Sequence, residues 1–220
     1  PSSVACTPTT VFGAPAPASC TVRGFDGFDA LTLNGRAWWK SLSATWFLTG
    51  RDEHIPTGAY GTQLGDGMHN RWRDTRGMFE LRFEPELSPQ VALQTRAAVN
   101  FYRFSGDYTY PSDGMAPDAG TYLQREEYNG IWAVAEARVV LRPTHELRLS
   151  IGTEVDTNVV ATLDGTSFDP TAPGSYLHAS IPYAIAAAYA LVEWAPIPQL
   201  RFTAGARLDW WTPLRSQTDA

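Results

Sequence analysis

From Val91 to Tyr110 the chain alternates with a period of two. Val91, Leu93, Thr95, Ala97, Val99 and Phe101 form one set, and Ala92, Gln94, Arg96, Ala98, Asn100 and Tyr102 the other. The first set is apolar or small, the second largely polar or charged. A soluble sheet uses this pattern with its apolar side against a core, over about five or six residues. A membrane barrel turns the apolar side to lipid and the polar side to a wet interior, over about 9–11 tilted residues. The length favours the membrane arrangement.

The same alternation recurs along the chain. It predicts strands over Ala30–Arg36, Leu42–Arg51, Met78–Phe83, Ile131–Arg142, Leu147–Asp156 and Leu200–Trp210. Tyr183–Trp194 is ambiguous, because its alanines fit either face and its periodicity allows a helix; its strand-like neighbours make strand the better reading. Phe47 is a bulky residue on the polar side of its strand. In all, about eight strands of an antiparallel up-and-down transmembrane β-barrel segment are expected.

The connections alternate in length. Tight turns are expected near Trp39, Ser88, Thr144 and Ile197, and long polar loops over Arg51–Thr75, Ser105–Thr121 and Leu163–Ser180. Short turns on one side and long loops on the other are the arrangement of outer-membrane barrels, with the short side in the periplasm. Charge segregates too: Arg51, Glu80, Arg82, Arg96, Glu136, Arg138, Glu154, Arg207 and Asp209, together with Asn100, fall on the polar parity and are expected to face a lumen. An arginine on the lipid side near the bilayer centre costs about 2–4 kcal/mol, which enforces such sorting. Arg103 breaks the parity, as expected near a strand end where the membrane no longer matters. Trp38, Trp39, Phe83 and Trp194 beside the turns, and Phe101, Tyr102 and Trp210 toward the loops, are candidates for two interfacial girdles.

Composition narrows the picture further. The chain has 8 Trp, 9 Tyr and 10 Phe, and arginine carries nearly all of its positive charge. A net charge of -6 and the lack of a basic run argue against a nucleic-acid partner. Scanning for a membrane helix finds nothing of the roughly 18–20 apolar residues required, which excludes helical spans only. Residues 1–26 lack periodicity and read as a loop or cut end, 27–213 as the barrel segment, and 214–220 as a tail or truncated loop. Cys6 and Cys20 would close a loop of about 15 residues; a disulfide there contributes about 3 kcal/mol and suits an oxidising compartment, the alternative being two unrelated thiols. Four scattered histidines and the absence of catalytic or phosphate-binding motifs point to neither a metal site, a cofactor nor an enzyme. The long loops are the candidates for ligand contact, with Tyr60, Trp72, Tyr108 and Tyr110 as aromatic anchors.

Two runs carry a family resemblance. Leu42–Thr62 looks like a barrel strand leading into an outer loop of TonB-dependent outer-membrane receptors. Ala188–Trp194, with its Glu-Trp pair, and Leu200–Asp209, with its Gly-x-Arg-x-Asp ending, resemble paired strands of that family. The likeness extends from about Val22 to Thr212. It implies an outer-membrane location, uptake of a scarce ligand of the siderophore, cobalamin or glycan kind, and energy from the TonB complex acting through a plug domain. No plug or TonB-contacting box is recognised here, so the resemblance implies a portion of a larger barrel. The alternatives are a small structural or adhesive outer-membrane barrel and a soluble β-sandwich binding module.

Overall fold

The computed structural model describes residues 27–55, 61–62, 70–112 and 120–214, and the backbone of 3–5 and 21–23. Among them the long elements are all strands. Eight of these follow one another in a meander: β3 (Phe28–Trp39), β4 (Leu42–His54), β5 (Arg71–Phe83), β7 (Val91–Pro111), β8 (Thr121–Leu141), β9 (Leu147–Ser167), β11 (Tyr183–Ile197) and β12 (Leu200–Pro213). Each pairs antiparallel with the next, and two short strands, β6 (Glu86–Ser88) and β10 (Gly174–Ser180), add to β7 and β9. β3 and β12 do not pair with one another, so the sheet is open. Residues 1–26, expected as a loop, contain a small ladder of their own, β1 (Ser3–Ala5) against β2 (Thr21–Arg23).

The ambiguous alanine-rich stretch is β11, a strand paired on both sides along almost its whole length. Tyr189 explains how small residues serve there. It stands opposite Gly152, where an added Cβ would lie 2.4 Å from the tyrosine ring. The ring therefore occupies the space that a glycine leaves on the neighbouring strand.

Two of the expected loops are shorter than the pattern indicated. β7, β8 and β9 each run for 21 residues, about twice a bilayer crossing. Extended chain of that length reaches about 70 Å along the strand. Ser105–Pro111 and Thr121–Asn129 are consequently strand rather than loop, leaving 112–120 as the connection. Leu163–Ser180 is likewise largely strand, because β10 folds back on the upper part of β9 with Ser180 opposite Thr162. Pairing satisfies the backbone groups that a projecting loop would otherwise leave to water. Arg51–Thr75 is strand at both ends, with 55–70 between.

Exposure is inverted relative to a soluble sheet. Along β8, Ile131, Ala133, Ala135, Ala137 and Val139 are exposed, whereas Trp132, Glu136 and Arg138 between them are half-buried. Leu33 on β3 is 58% exposed and Ile151 on β9 also 58%. No second layer among the described residues covers this apolar face. The polar side chains are the ones that crowd together, as on the interior of a curved sheet whose apolar exterior meets lipid.

That exterior is free of charge over a band of constant height. On β7 it runs from Val91 to Phe101, on β8 from Leu141 to Ile131, and on β12 from Leu200 to Trp210, eleven residues each. Eleven tilted residues match one bilayer crossing. Above the band the exterior turns charged in one step, through the cross-strand row Asp29, Asp52, Arg73, Ser105, Glu127 and Asp164. Arg103 lies at this border, so its break in parity falls where the membrane ends, as expected, although β7 continues for eight more residues. Trp38 and Tyr102, expected in the girdles, stand instead on the inner face. Trp38 is opposite Ser43 in the row of Arg82, and Tyr102 is opposite Arg76. Trp39, Phe83, Trp194, Phe101 and Trp210 share the outer parity, and the Trp194 ring stacks on Phe202 at 5.6 Å.

Candidate functional site

Two groups of side chains occupy the inner face, one at the height of the apolar band and one above it. The lower group is a belt of charges. Arg82 Nε donates to Glu80 Oε1 at 2.7 Å, and Arg96 lies within 3.8 Å of Glu80, 3.5 Å of Glu136 and 3.6 Å of Glu154. Arg207 reaches Glu154 at 2.9 Å and Asp209 at 2.8 Å, and the Tyr189 hydroxyl donates to Glu136. Glu136 and Glu154 stand directly opposite each other, a like-charge pair that destabilises a ladder unless a cation bridges it. Arg96 supplies that cation. Arg138 belongs to the same face, its buried Nε without a hydrogen-bond partner.

Asn100 lies one row up, among Phe47, Met78 and Trp132. This row accounts for Phe47, which is bulky on a polar face because its cross-strand neighbour is Met78. Arg51 stands apart from the belt: it pairs with Asp74 at 2.9 Å and Glu53 at 3.2 Å near the upper end.

The upper group is aromatic. A concavity of about 470 Å³ is lined by Trp72, Tyr102, Phe104, Tyr108, Tyr110 and Tyr128, with Arg51, Asp74 and Glu126 between them. Cross-strand register builds it, because Phe104 stands opposite Tyr128 and Tyr110 opposite Tyr122. Those pairs stack with ring centroids 5.2 Å and 5.7 Å apart. Trp72 Nε1 donates to the Tyr108 hydroxyl at 3.0 Å. Glu126 accepts hydrogen bonds from the Tyr128 hydroxyl and from the Tyr176 hydroxyl at 3.2 Å. Burial and the Glu126 carboxylate both raise the pKa of these phenols, that of Tyr176 to about 12, so each remains a donor at any physiological pH.

The structure thus brings Trp72, Tyr108 and Tyr110 into one concavity. Tyr60, Cys6 and Cys20 lie outside the described residues. The pattern reading missed Tyr102, Phe104, Asp74, Glu126, Tyr128 and Tyr176. For those on β7 and β8 the signal was present in the parity: Tyr102 and Phe104 continue the even positions that carry Arg96 and Asn100, and Glu126 and Tyr128 those that carry Glu136 and Arg138. The histidines are dispersed, His145 against Glu146 and His178 against Asp164.

An open meander with a lipid-type exterior, a charged interior and long strands on one side fits a large outer-membrane barrel. The family model of TonB-dependent receptor-like β-barrels matches residues 17–216. The chain belongs to that family. Its place is the cell outer membrane, and its fold is that of the receptor β-barrel. The family consists of receptors and transporters rather than enzymes, and works with the TonB system. No curated protein and no solved structure matches the chain.

Proposed function

We propose that this receptor barrel captures its ligand in the aromatic concavity above the membrane band and passes it toward a lumen lined by the charged belt. The aromatic wall carries the reading. Six rings meet on one face of three strands that project past the bilayer, where a ligand arrives from outside. Ring faces and a few fixed polar groups are the usual composition of a small-molecule site.

The charges select among ligand classes. Arg51 is held by Asp74 and Glu53, and Glu126 by two phenols, while the Arg76 guanidinium lies 5.5 Å over the Tyr102 ring, so the described wall offers ring faces with a single cation stacked on one of them. A ring-bearing ligand of the glycan or cobalamin kind, met chiefly by ring faces, fits better than a polyanionic siderophore, which one cation would leave mostly unneutralised. Energy for its passage comes from the TonB complex through a plug domain. Uptake is the test, using full-length receptor in cells and three probes: cyanocobalamin, a neutral oligosaccharide and a ferric catecholate. One of the first two is expected to be taken up, with at least a tenfold loss in Trp72→Ala and Tyr128→Ala variants that still reach the outer membrane. Uptake of the catecholate alone, or variants that transport normally, overturns the reading.

We also propose a Cys6–Cys20 disulfide. The β1–β2 ladder pairs Ser3 with Arg23, Val4 with Val22 and Ala5 with Thr21, and the next pair in that count is 6 and 20. A reductant-dependent shift in gel mobility, absent in Cys6→Ser, is the expected sign.

A further inference from the structure

Among the described residues the exterior just above the apolar band holds four arginines, and three of them are engaged. Arg71 pairs with Asp52, through a 3.1 Å hydrogen bond from its Nε. Arg73 lies 3.4 Å from Asp52 and 3.1 Å from Asp107, and Arg125 donates to Asp107 at 2.7 Å. Arg103 is the exception. It is exposed and has no ion-pair partner among the described residues. Its cross-strand neighbours on the same face are Thr75 and Asn129, a hydroxyl and an amide. Directly below it are Phe101 and Ile131, the last apolar residues of the band on their strands.

Height identifies what such a cation meets. Short turns mark the periplasmic end, so the border at Arg103 lies in the outer leaflet, where acyl chains give way to headgroups. A guanidinium at that depth, freed from carboxylates and flanked by neutral donors, is arranged for a phosphate, which it binds with two parallel hydrogen bonds. We propose that Arg103, with Thr75 and Asn129, binds the phosphate of an anionic outer-leaflet lipid. Asp52 and Asp107 neutralise the other three arginines, which leaves Arg103 as the one unpaired arginine along the described border, with Glu127 one row above it toward the outside. The site faces away from the aromatic concavity and does not depend on the ligand reading.

The test uses the full-length receptor, extracted in mild detergent and exchanged into phosphatidylcholine vesicles containing either no other lipid, phosphatidylglycerol or phosphorylated lipid A. Lipid retained after repurification is counted by native mass spectrometry. Wild type is expected to retain a phosphorylated anionic lipid, Arg103→Ala to lose at least tenfold of it, and Arg103→Lys to keep an intermediate amount. Arg201→Ala, at the opposite end of the sheet, is expected to retain it fully. Heat-modifiable gel mobility shows that each variant is folded, and the lysine variant keeps the test decisive if alanine fails to fold. Equal retention by wild type and Arg103 variants, or no preference for anionic lipid over phosphatidylcholine, overturns the proposal. Complete displacement by millimolar inorganic phosphate also overturns it, since the site would then bind the ion and not the lipid.

Discussion

The two halves of β7 follow the same alternation and use it in opposite ways. In Val91–Phe101 the outer residues are apolar and the inner ones include Gln94, Arg96 and Asn100. In Tyr102–Pro111 the outer residues include Arg103 and Asp107, and the inner ones are Tyr102, Phe104, Gly106, Tyr108 and Tyr110. The backbone registers no change, since pairing with β8 continues residue for residue from 91 to 111. What changes is the surroundings. Lipid selects an apolar exterior below, while water and headgroups permit charge above. The interior is freed from solvating a lumen and becomes an aromatic wall. One strand geometry therefore carries two chemistries, and the switch between them records the position of the membrane.

The largest effect that separates the halves comes from adding charge to the exterior. Val99→Arg is expected to cost about 2–4 kcal/mol of stability in a bilayer, whereas Asn129→Arg, at the border, costs about 0–1 kcal/mol. Denaturant unfolding from vesicles measures both. Equal costs would mean that the apolar band has no lipid against it. Next in size is a packing change confined to the lower interior. Gly152→Val forces the Tyr189 ring aside and loosens its bond to Glu136, at a cost of about 1–3 kcal/mol. Tyr189→Ala combined with it should recover part of the loss.

A smaller effect belongs to the upper exterior. Asp107 is nearly buried and holds Arg73 and Arg125 together. Asp107→Ala leaves both without that partner, and about 1–2 kcal/mol is expected to be lost, less at high salt. Proteolysis at the tips of β5, β7 and β8 should rise while the membrane band stays resistant.

The smallest effect is spectroscopic and belongs to the upper interior. The phenols of Tyr128 and Tyr176 have folded pKa values raised above the ordinary value near 10, first by burial and then by Glu126. A raised phenol pKa favours the neutral form in the fold. Its contribution is therefore complete below about pH 10 and is lost as pH climbs through the folded value. Phenolate absorbance should show these tyrosines ionising later than exposed ones, and Glu126→Gln should bring them part of the way back. Titration unchanged by that substitution would remove Glu126 from the wall.

How much of this was legible in the sequence divides along the same line. Below the border, parity located seven of the eight long strands and their turns, because lipid penalises exceptions, while the alanine-rich β11 was assigned from its neighbours. Above it the penalty disappears. Arg103 then looks like a flaw near a strand end, and the Pro- and Gly-bearing stretches after Ser105 and Leu163 look like loops, although strand pairing continues through much of both. Phe47 and Tyr102 show a second limit. Their faces follow from the count of two, but their roles depend on cross-strand neighbours, Met78 and Arg76, whose register no single strand reveals. Tyr176 was hidden most completely, since it reaches Glu126 only because β10 folds back along β9.

Spin labels placed singly at 97, 99, 101, 103 and 105 of the full-length receptor, with Cys6 and Cys20 replaced by serine, locate the border most directly. In vesicles, collision with oxygen reports lipid and collision with a water-soluble nickel chelate reports solvent. Labels at 97, 99 and 101 should favour oxygen, with a switch to the nickel chelate between 101 and 103. A gradual change along all five positions, or lipid contact at 103 and 105, would contradict a membrane edge set at Arg103.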